Sequence, residues 1–192
     1  MKKFLYLLVI FIVIPACLYL ALDRENVDID EFRLNSGYQE VKLSQGITSY
    51  KDIGDKNSKV IILVHGATFG SLAYEEYVNV FLENNYRVIT YDQYGRGYSD
   101  RIHSGVSIEL MEKQLKELIK HCEVEDVILY GVSFGAAVVA KYAANNPENI
   151  SFIGYQVPLI NSANVPLLSI VKIPLYGDLL SRGFLVPGVL KR

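Results

Sequence analysis

The sequence DVILYGVSFG, which runs from Asp126 to Gly135, decides how this chain folds. Its first half is a short run of aliphatic and aromatic residues, typical of a strand that is buried on both faces of a parallel sheet. The run passes directly into a G-x-S-x-G motif, and small apolar residues follow as far as Asn146, before Pro147. Because proline ends helices, we predict a strand, a very tight turn carrying Ser133, and a helix.

The turn requires glycine at both flanking positions of the motif, Gly131 and Gly135. A serine on so tight a turn needs a strained backbone, and bulky side chains two residues to either side would clash with neighbouring strands. The turn would raise the Ser133 hydroxyl above the sheet and place the Phe134 N–H where an oxyanion forms. We predict Ser133 as a nucleophile on an elbow formed by Gly131 and Gly135. A tight turn without chemistry is the alternative.

The rest of the chain alternates between strand and helix patterns. Buried-strand runs cover residues 60–64, 87–91 and 126–130, and a fourth strand is predicted at 150–156. Apolar stripes at helical spacing cover 71–83 and 107–122. A hairpin of edge strands is predicted around 41–43 and 47–50. This order predicts the α/β class, with a mostly parallel sheet, flanking helices, and ligands at the carboxyl ends of the strands.

Three loops at predicted strand ends carry unusual residues. They are VHG at 64–66, DQYGRGYSD at 92–100 and GVSFG at 131–135. In order and spacing they resemble the signature loops of the α/β-hydrolase superfamily, in its serine esterase and lipase branch, which includes monoacylglycerol-lipase-like enzymes. The resemblance covers about residues 40–160. It implies an α/β-hydrolase fold and a serine hydrolase of carboxylic esters, lipid-like or otherwise apolar, with no metal or cofactor.

The resemblance also implies roles for matching positions. Ala67, the residue after the His-Gly pair, would donate the second backbone N–H of the oxyanion hole beside that of Phe134. Thr68 is the neighbouring alternative. His65 resembles the structural histidine of this loop, and Asp92 resembles a carboxylate that stabilises a turn.

The catalytic acid and base of such a triad are not apparent in this sequence. In this fold they follow the serine, the acid first and the histidine last. No histidine follows Ser133, and the only acids after it are Glu148 and Asp178. A serine hydroxyl without a base is a poor nucleophile. We therefore expect the chain to be the N-terminal part of a C-terminally truncated hydrolase and to be inactive alone.

Residues 1–22 predict a membrane anchor. Two lysines precede 19 uncharged residues from Phe4 to Leu22. As a helix these would span roughly 28 Å, about the thickness of a bilayer core. Lysines before the run and acids after it predict a single-pass protein whose domain lies on the outer side. A cleaved signal sequence of a secreted protein, a lipoprotein signal around Cys17, and a buried core helix remain alternatives.

Two further segments flank the predicted hydrolase core at 39–156. Residues 23–38 are polar and acidic, which indicates a linker. Residues 157–192 are strongly apolar and are interrupted by four prolines. We expect them to begin a cap or lid over an apolar acyl pocket, with a pair of core helices as the alternative.

Composition excludes some functions and leaves others open. The net charge is −2, without a basic stripe, so nucleic acid is not an expected partner. Cys17 and Cys122 have neither disulfide-framework nor metal-ligand spacing. A membrane-tethered binding protein of the same fold is one alternative to the esterase. A C–C hydrolase, a thioesterase or an acyltransferase is another, because fold does not fix chemistry.

Overall fold

The protein is described by a computed structural model for residues 2–22, 28–34, 36–102 and 105–158. The chain divides into two units, and the second, beginning at Ile29, contains the sheet. The predicted cap or lid, at 157–192, lies almost entirely outside the described residues.

Residues 2–22 are helical in three consecutive stretches. These are α1 (Lys2–Leu8), a π-helix (Val9–Val13) and α2 (Ile14–Leu22). The Ile14 N–H donates to the Val9 carbonyl, five residues back. Pro15 has no N–H to offer the preceding turn, which accounts for the widening there. In the described part of the chain no helix is both long enough and apolar enough to cross a membrane, so the predicted transmembrane helix is not supported.

The predicted linker at 23–38 contains a short helix, α3 (Ile29–Leu34). Its Arg33 is buried, and the guanidinium donates to the Tyr98 carbonyl and to the Asp100 carboxylate, each at 2.6 Å. A buried guanidinium needs such partners. These contacts hold α3 on the sheet unit, which a polar sequence pattern does not reveal.

One six-stranded sheet follows. Its strands are β1 (Gln39–Lys42), β2 (Ile47–Ile53), β3 (Val60–Val64), β4 (Arg87–Tyr91), β5 (Val127–Val132) and β6 (Ile150–Gln156). Their order is β1-β2-β4-β3-β5-β6. Strand β2 runs antiparallel to both of its neighbours, β1 and β4, while the pairs β4–β3, β3–β5 and β5–β6 are parallel. The edge hairpin and the mostly parallel sheet predicted from the sequence are both confirmed.

Three α-helices flank the sheet. They are α4 (Glu75–Glu83), preceded by a 3₁₀ turn at Ser71–Tyr74, then α5 (Ile108–His121) and α6 (Phe134–Asn145). The Ser107 hydroxyl accepts from the Leu110 N–H at 3.2 Å and caps α5.

The two faces of the sheet are covered by different helices. Along β3, Ile62 and Val64 face a core formed with α5 and α6, while Ile61 and Leu63 face a second core formed with α4. All five residues of β3 are buried, and so are all five of β4. The carboxyl ends of these central strands therefore lie together at one edge, beyond which the loops can meet a ligand.

A buried ion pair lies at the opposite edge. The Arg87 guanidinium donates to both oxygens of Asp52, at 2.8 and 2.7 Å, and to the Cys122 carbonyl at 3.0 Å. Burial alone would raise the pKa of Asp52, but hydrogen bonds from Arg87 and Lys56 outweigh it and lower the pKa. The Asp52 carboxylate is thus held in its charged form.

We expect Asp52→Asn to lower the free energy of unfolding by ~3–5 kcal/mol, because it leaves Arg87 buried without a counter-charge. Urea unfolding measures this. Lys56→Ala removes an exposed partner of the same carboxylate and should cost less than ~1 kcal/mol. The difference between wild type and Asp52→Asn should be full above the ordinary carboxyl pKa of 3.8. It should shrink as the pH falls through the lowered value, and a pH-independent difference would contradict the assignment.

Candidate active site

Ser133 lies at the junction between β5 and α6. Its backbone has φ +52° and ψ −115°, a conformation that non-glycine residues rarely adopt. Val132 ends the strand and Phe134 begins the helix, so the chain reverses around a single residue. Such local strain at a strand-to-helix turn is the geometry that exposes a serine hydroxyl above a sheet.

The glycines on either side of Ser133 are required by space. A Cβ on Gly135 would lie 2.1 Å from the Val64 carbonyl oxygen and 2.5 Å from that of His65. A Cβ on Gly131 would lie 2.7 Å from the Ala136 Cα. Any side chain at either position would push α6 away from the sheet.

The loop after β3 lies directly against the nucleophile. A Cβ on Gly66 would be 3.2 Å from the Ser133 Cβ and 3.8 Å from its hydroxyl oxygen. Ala67 and Ser133 line one cavity of about 240 Å³, which we call the Ser133 cavity. Ala67 and Phe134 line a smaller one of about 50 Å³. The structure thus brings together Ser133 and the two residues predicted for the oxyanion hole.

The N–H groups of these two residues stay a prediction as oxyanion donors. Phe134 is the first residue of α6, where an N–H has no acceptor within the helix. The carbonyl oxygen of Ala67 accepts from the Arg96 Nε, which ties the loop to the turn after β4. Burial lowers the pKa of Arg96.

His65 is placed as a structural residue, not as a base for Ser133. It is 2% exposed. Its Nε2 accepts from the Gln93 N–H at 2.8 Å, so the proton sits on Nδ1, which donates to the Gly66 carbonyl at 2.6 Å. Burial lowers the pKa of the imidazole, although the hydrogen bond to Gly66 opposes this. Both nitrogens are occupied, and neither can take the serine proton.

Asp92 stabilises a turn, as the sequence resemblance implied. One carboxylate oxygen accepts from the N–H and the hydroxyl of Ser71, at 2.7 and 2.8 Å. The other accepts from the Tyr98 N–H at 2.9 Å. The side chain is buried and joins the segment before α4 to the loop after β4.

No second triad residue lies beside Ser133 in the part of the chain that is described. His121 donates to or accepts from the Tyr50 hydroxyl at 3.0 Å, beside the Asp52–Arg87 pair. Glu148 is exposed in the 3₁₀ turn after α6. His103 and Asp178 lie outside the described residues. Within the described part of the chain, no cluster of His, Cys, Asp and Glu side chains is suited to hold a metal ion.

Sequence reasoning missed Gln156 and the tyrosines around it. Gln156 ends β6, lines the Ser133 cavity, and its backbone carbonyl accepts from the Ser133 N–H at 3.0 Å. The sequence could have pointed to Gln156, because this residue ends a predicted parallel strand. Its position is therefore at the same carboxyl ends of strands as the three signature loops.

Comparisons with known proteins agree with this architecture. A profile of the family described as alpha/beta hydrolase fold matches residues 59–158. The match includes β3 to β6, the elbow at Ser133 and the loop at His65, and it covers more than half of the 192 residues.

Individual relatives share less than a third of their aligned residues with this chain. The AB hydrolase superfamily protein YisY of Bacillus subtilis is 30% identical over 107 residues, 55% of this chain and 39% of that protein. The bifunctional esterase/perhydrolase DCH of Acinetobacter calcoaceticus is 27% identical over 100 residues, 52% of this chain and 36% of that protein. An esterase structure from Exiguobacterium antarcticum has a TM-score of 0.60 and 25% identity, over 64% of this chain and 46% of that one. The chain spans less than half the length of each.

We expect Ser133→Gly to raise the free energy of unfolding by about 1 kcal/mol. Glycine relieves the strain of a positive φ, which is worth ~1–3 kcal/mol. It also raises the conformational entropy of the unfolded chain, which lowers the gain in stability by ~0.5–1 kcal/mol. Ser133→Ala removes the same hydroxyl and keeps the strain, so it is the matched control and should change stability little. Urea unfolding of the three proteins measures both, and equal stabilities for the two variants would contradict the strained turn.

Proposed function

Since this chain belongs to the α/β-hydrolase family, we propose that it carries the nucleophile of a serine hydrolase acting on carboxylic esters. The observation that carries the proposal is the strained Ser133 turn, which opens on a cavity beside the loop of Ala67. The esterase and the bifunctional esterase/perhydrolase among its relatives support ester chemistry.

The mechanism follows from the geometry around Ser133. Its hydroxyl oxygen attacks the carbonyl carbon of the ester, and the carbonyl oxygen becomes an oxyanion. The N–H groups of Phe134 and Ala67 donate to this oxygen, which is stabilised more than the ground-state carbonyl. The alcohol leaves, and water then releases the acid from the acyl-serine. No step needs a metal or a cofactor.

The lining of the Ser133 cavity supports an apolar ester. Phe69, Ala73, Tyr74 and Val132 contribute mostly carbon surface to its wall. Binding an acyl or alcohol chain there removes apolar surface from water, at ~25 cal/mol per Å². A lipid-like or other hydrophobic ester is the substrate class that this wall favours.

Proton transfer needs a base that the described residues do not offer to Ser133. His65 has both ring nitrogens engaged. We therefore expect the 192-residue polypeptide to be inactive alone and to depend on a base supplied from outside it. The same observation favours the second candidate, a binding protein of this fold that holds an ester-like ligand without turnover.

Labelling with a fluorophosphonate probe separates the two candidates. In the protein from its native cells we expect an adduct at Ser133, located by peptide mapping and absent from Ser133→Ala. The purified chain, at 21.6 kDa, should react about 10³-fold more slowly than the native form, because its described residues offer Ser133 no base. Absence of any adduct, with the protein shown to be present, would leave only the binding protein.

We also propose that residues 2–22 associate with a membrane and that the hydrolase unit lies on its outer side. Several apolar side chains in this segment are half exposed or more, namely Leu7, Ile10, Phe11, Leu18 and Leu20. Exposed apolar surface of this extent is unfavourable in water. The lysines at the start and the acids after the segment favour the outward orientation.

Fractionation of the expressing cells tests this proposal. The wild-type chain should stay in the membrane pellet after carbonate extraction, and protease added outside intact cells should degrade the hydrolase unit. Replacing Ile10 and Leu18 with aspartate should release the chain, since charges in an apolar segment oppose insertion. As a control, Val80→Asp places a charge on the exposed face of α4 and should not release it. Wild-type chain in the soluble fraction would refute the association.

A further inference from the structure

Gln156 places an amide side chain in the wall of the Ser133 cavity. It ends β6 opposite Val132 in the parallel register, one residue from the nucleophile. Its backbone carbonyl accepts from the Ser133 N–H at 3.0 Å. The side chain therefore starts from a point that is rigidly tied to the reacting serine.

Two tyrosine hydroxyls contact the oxygen of this amide. The Oε1 of Gln156 accepts from the Tyr130 hydroxyl at 2.8 Å and from the Tyr77 hydroxyl at 3.3 Å. The two rings lie 6.2 Å apart between centroids and are tilted by 39°. Burial raises the pKa of Tyr130, so its hydroxyl keeps its proton and donates at neutral pH.

The nitrogen end of the amide, Nε2, is available to a ligand in the Ser133 cavity. A carbonyl oxygen accepts two hydrogen bonds, and both are supplied by the tyrosines. The Nε2 group carries two N–H donors, and no acceptor for them occurs among the described residues. With Oε1 against the two hydroxyls, the amide keeps both N–H donors of Nε2 for a ligand in the cavity.

We propose that Gln156 is a specificity-determining residue, whose Nε2 donates to an acceptor oxygen of the substrate other than the ester group itself. The preferred ester then carries an ether, hydroxyl or carbonyl oxygen on the part of the molecule that occupies the Ser133 cavity. An all-carbon chain would leave the amide donors without an acceptor in an otherwise apolar wall, which weakens its binding. This deepens the proposed function and rests on it.

The test uses two ketones that cannot be hydrolysed, 5-methoxypentan-2-one and heptan-2-one. They have the same chain length and differ by one ether oxygen in place of a methylene. Binding to the full chain is followed by NMR titration, with the side-chain NH₂ signals of Gln156 as the local readout. Wild type should bind the methoxy ketone about tenfold more tightly. Only this ketone should shift the Gln156 NH₂ signals strongly.

Gln156→Glu is the decisive variant. One glutamate oxygen can still accept from Tyr130 and Tyr77, while the other replaces the NH₂ donor by an acceptor. The preference for the methoxy ketone should disappear or reverse. Gln39→Glu, on the exposed face of β1, introduces the same charge elsewhere and should leave the preference unchanged.

A milder variant covers the case in which Gln156→Glu fails to fold. Tyr77→Phe removes one donor from the amide oxygen at a partly exposed position and should reduce the preference. Equal affinity of wild type for the two ketones, no binding of either, or a preference that survives Gln156→Glu would overturn the proposal.

The outcome is independent of the reactivity of Ser133, because ketone binding needs no base. A Gln156-dependent preference without any fluorophosphonate adduct would retain the recognition role and reject the hydrolase. An adduct without the preference would retain the hydrolase and reject the role of Gln156.

Discussion

The strained backbone at Ser133 is the constraint on which the rest of this sheet edge depends. A φ of +52° costs a non-glycine residue such as Ser133 ~1–3 kcal/mol. This conformation persists only where the surrounding structure leaves no alternative. Those surroundings come from both neighbouring strands. The carbonyl oxygens of Val64, at the end of β3, and of His65, just after it, approach Gly135 so closely that no side chain fits there. On the other side, the Gln156 carbonyl in β6 holds the Ser133 N–H. The elbow is thus a property of three parallel strands together.

The fold of this edge was predictable where the signal is local. Runs of apolar residues specify β3 and β4, whose residues are all buried, and the G-x-S-x-G motif specifies the turn. Both signals are local, because burial on both faces and a close helix approach act on neighbouring residues. Contacts between distant residues were not predictable. The hydrogen bond from Tyr77 to Gln156 joins positions 79 apart, and that from Arg33 to Asp100 joins positions 67 apart.

The N-terminal segment illustrates a different limit of the sequence. The length of the apolar run predicts one spanning helix. Length alone does not show where the α-helical hydrogen-bond pattern is interrupted. Pro15 lacks the donor that a regular turn needs, and the helical stretch before it becomes a π-helix. Mean hydropathy over this segment is the same whether or not its hydrogen bonds are continuous. The sequence therefore predicts an apolar segment here, and the structure adds that its helical hydrogen bonding changes at residues 9–13.

His65 affects the chemistry through a peptide unit, although it cannot serve as the base. Its Nδ1–H donates to the Gly66 carbonyl at 2.6 Å, and the N–H of that same peptide unit belongs to Ala67. A hydrogen bond accepted by a carbonyl polarises its amide and strengthens the N–H as a donor, by ~10–30%. The Gln93 N–H fixes the ring tautomer that makes this possible. The buried histidine therefore holds and polarises the Gly66–Ala67 peptide unit, and it does so as a neutral imidazole that adds no charge beside Ser133.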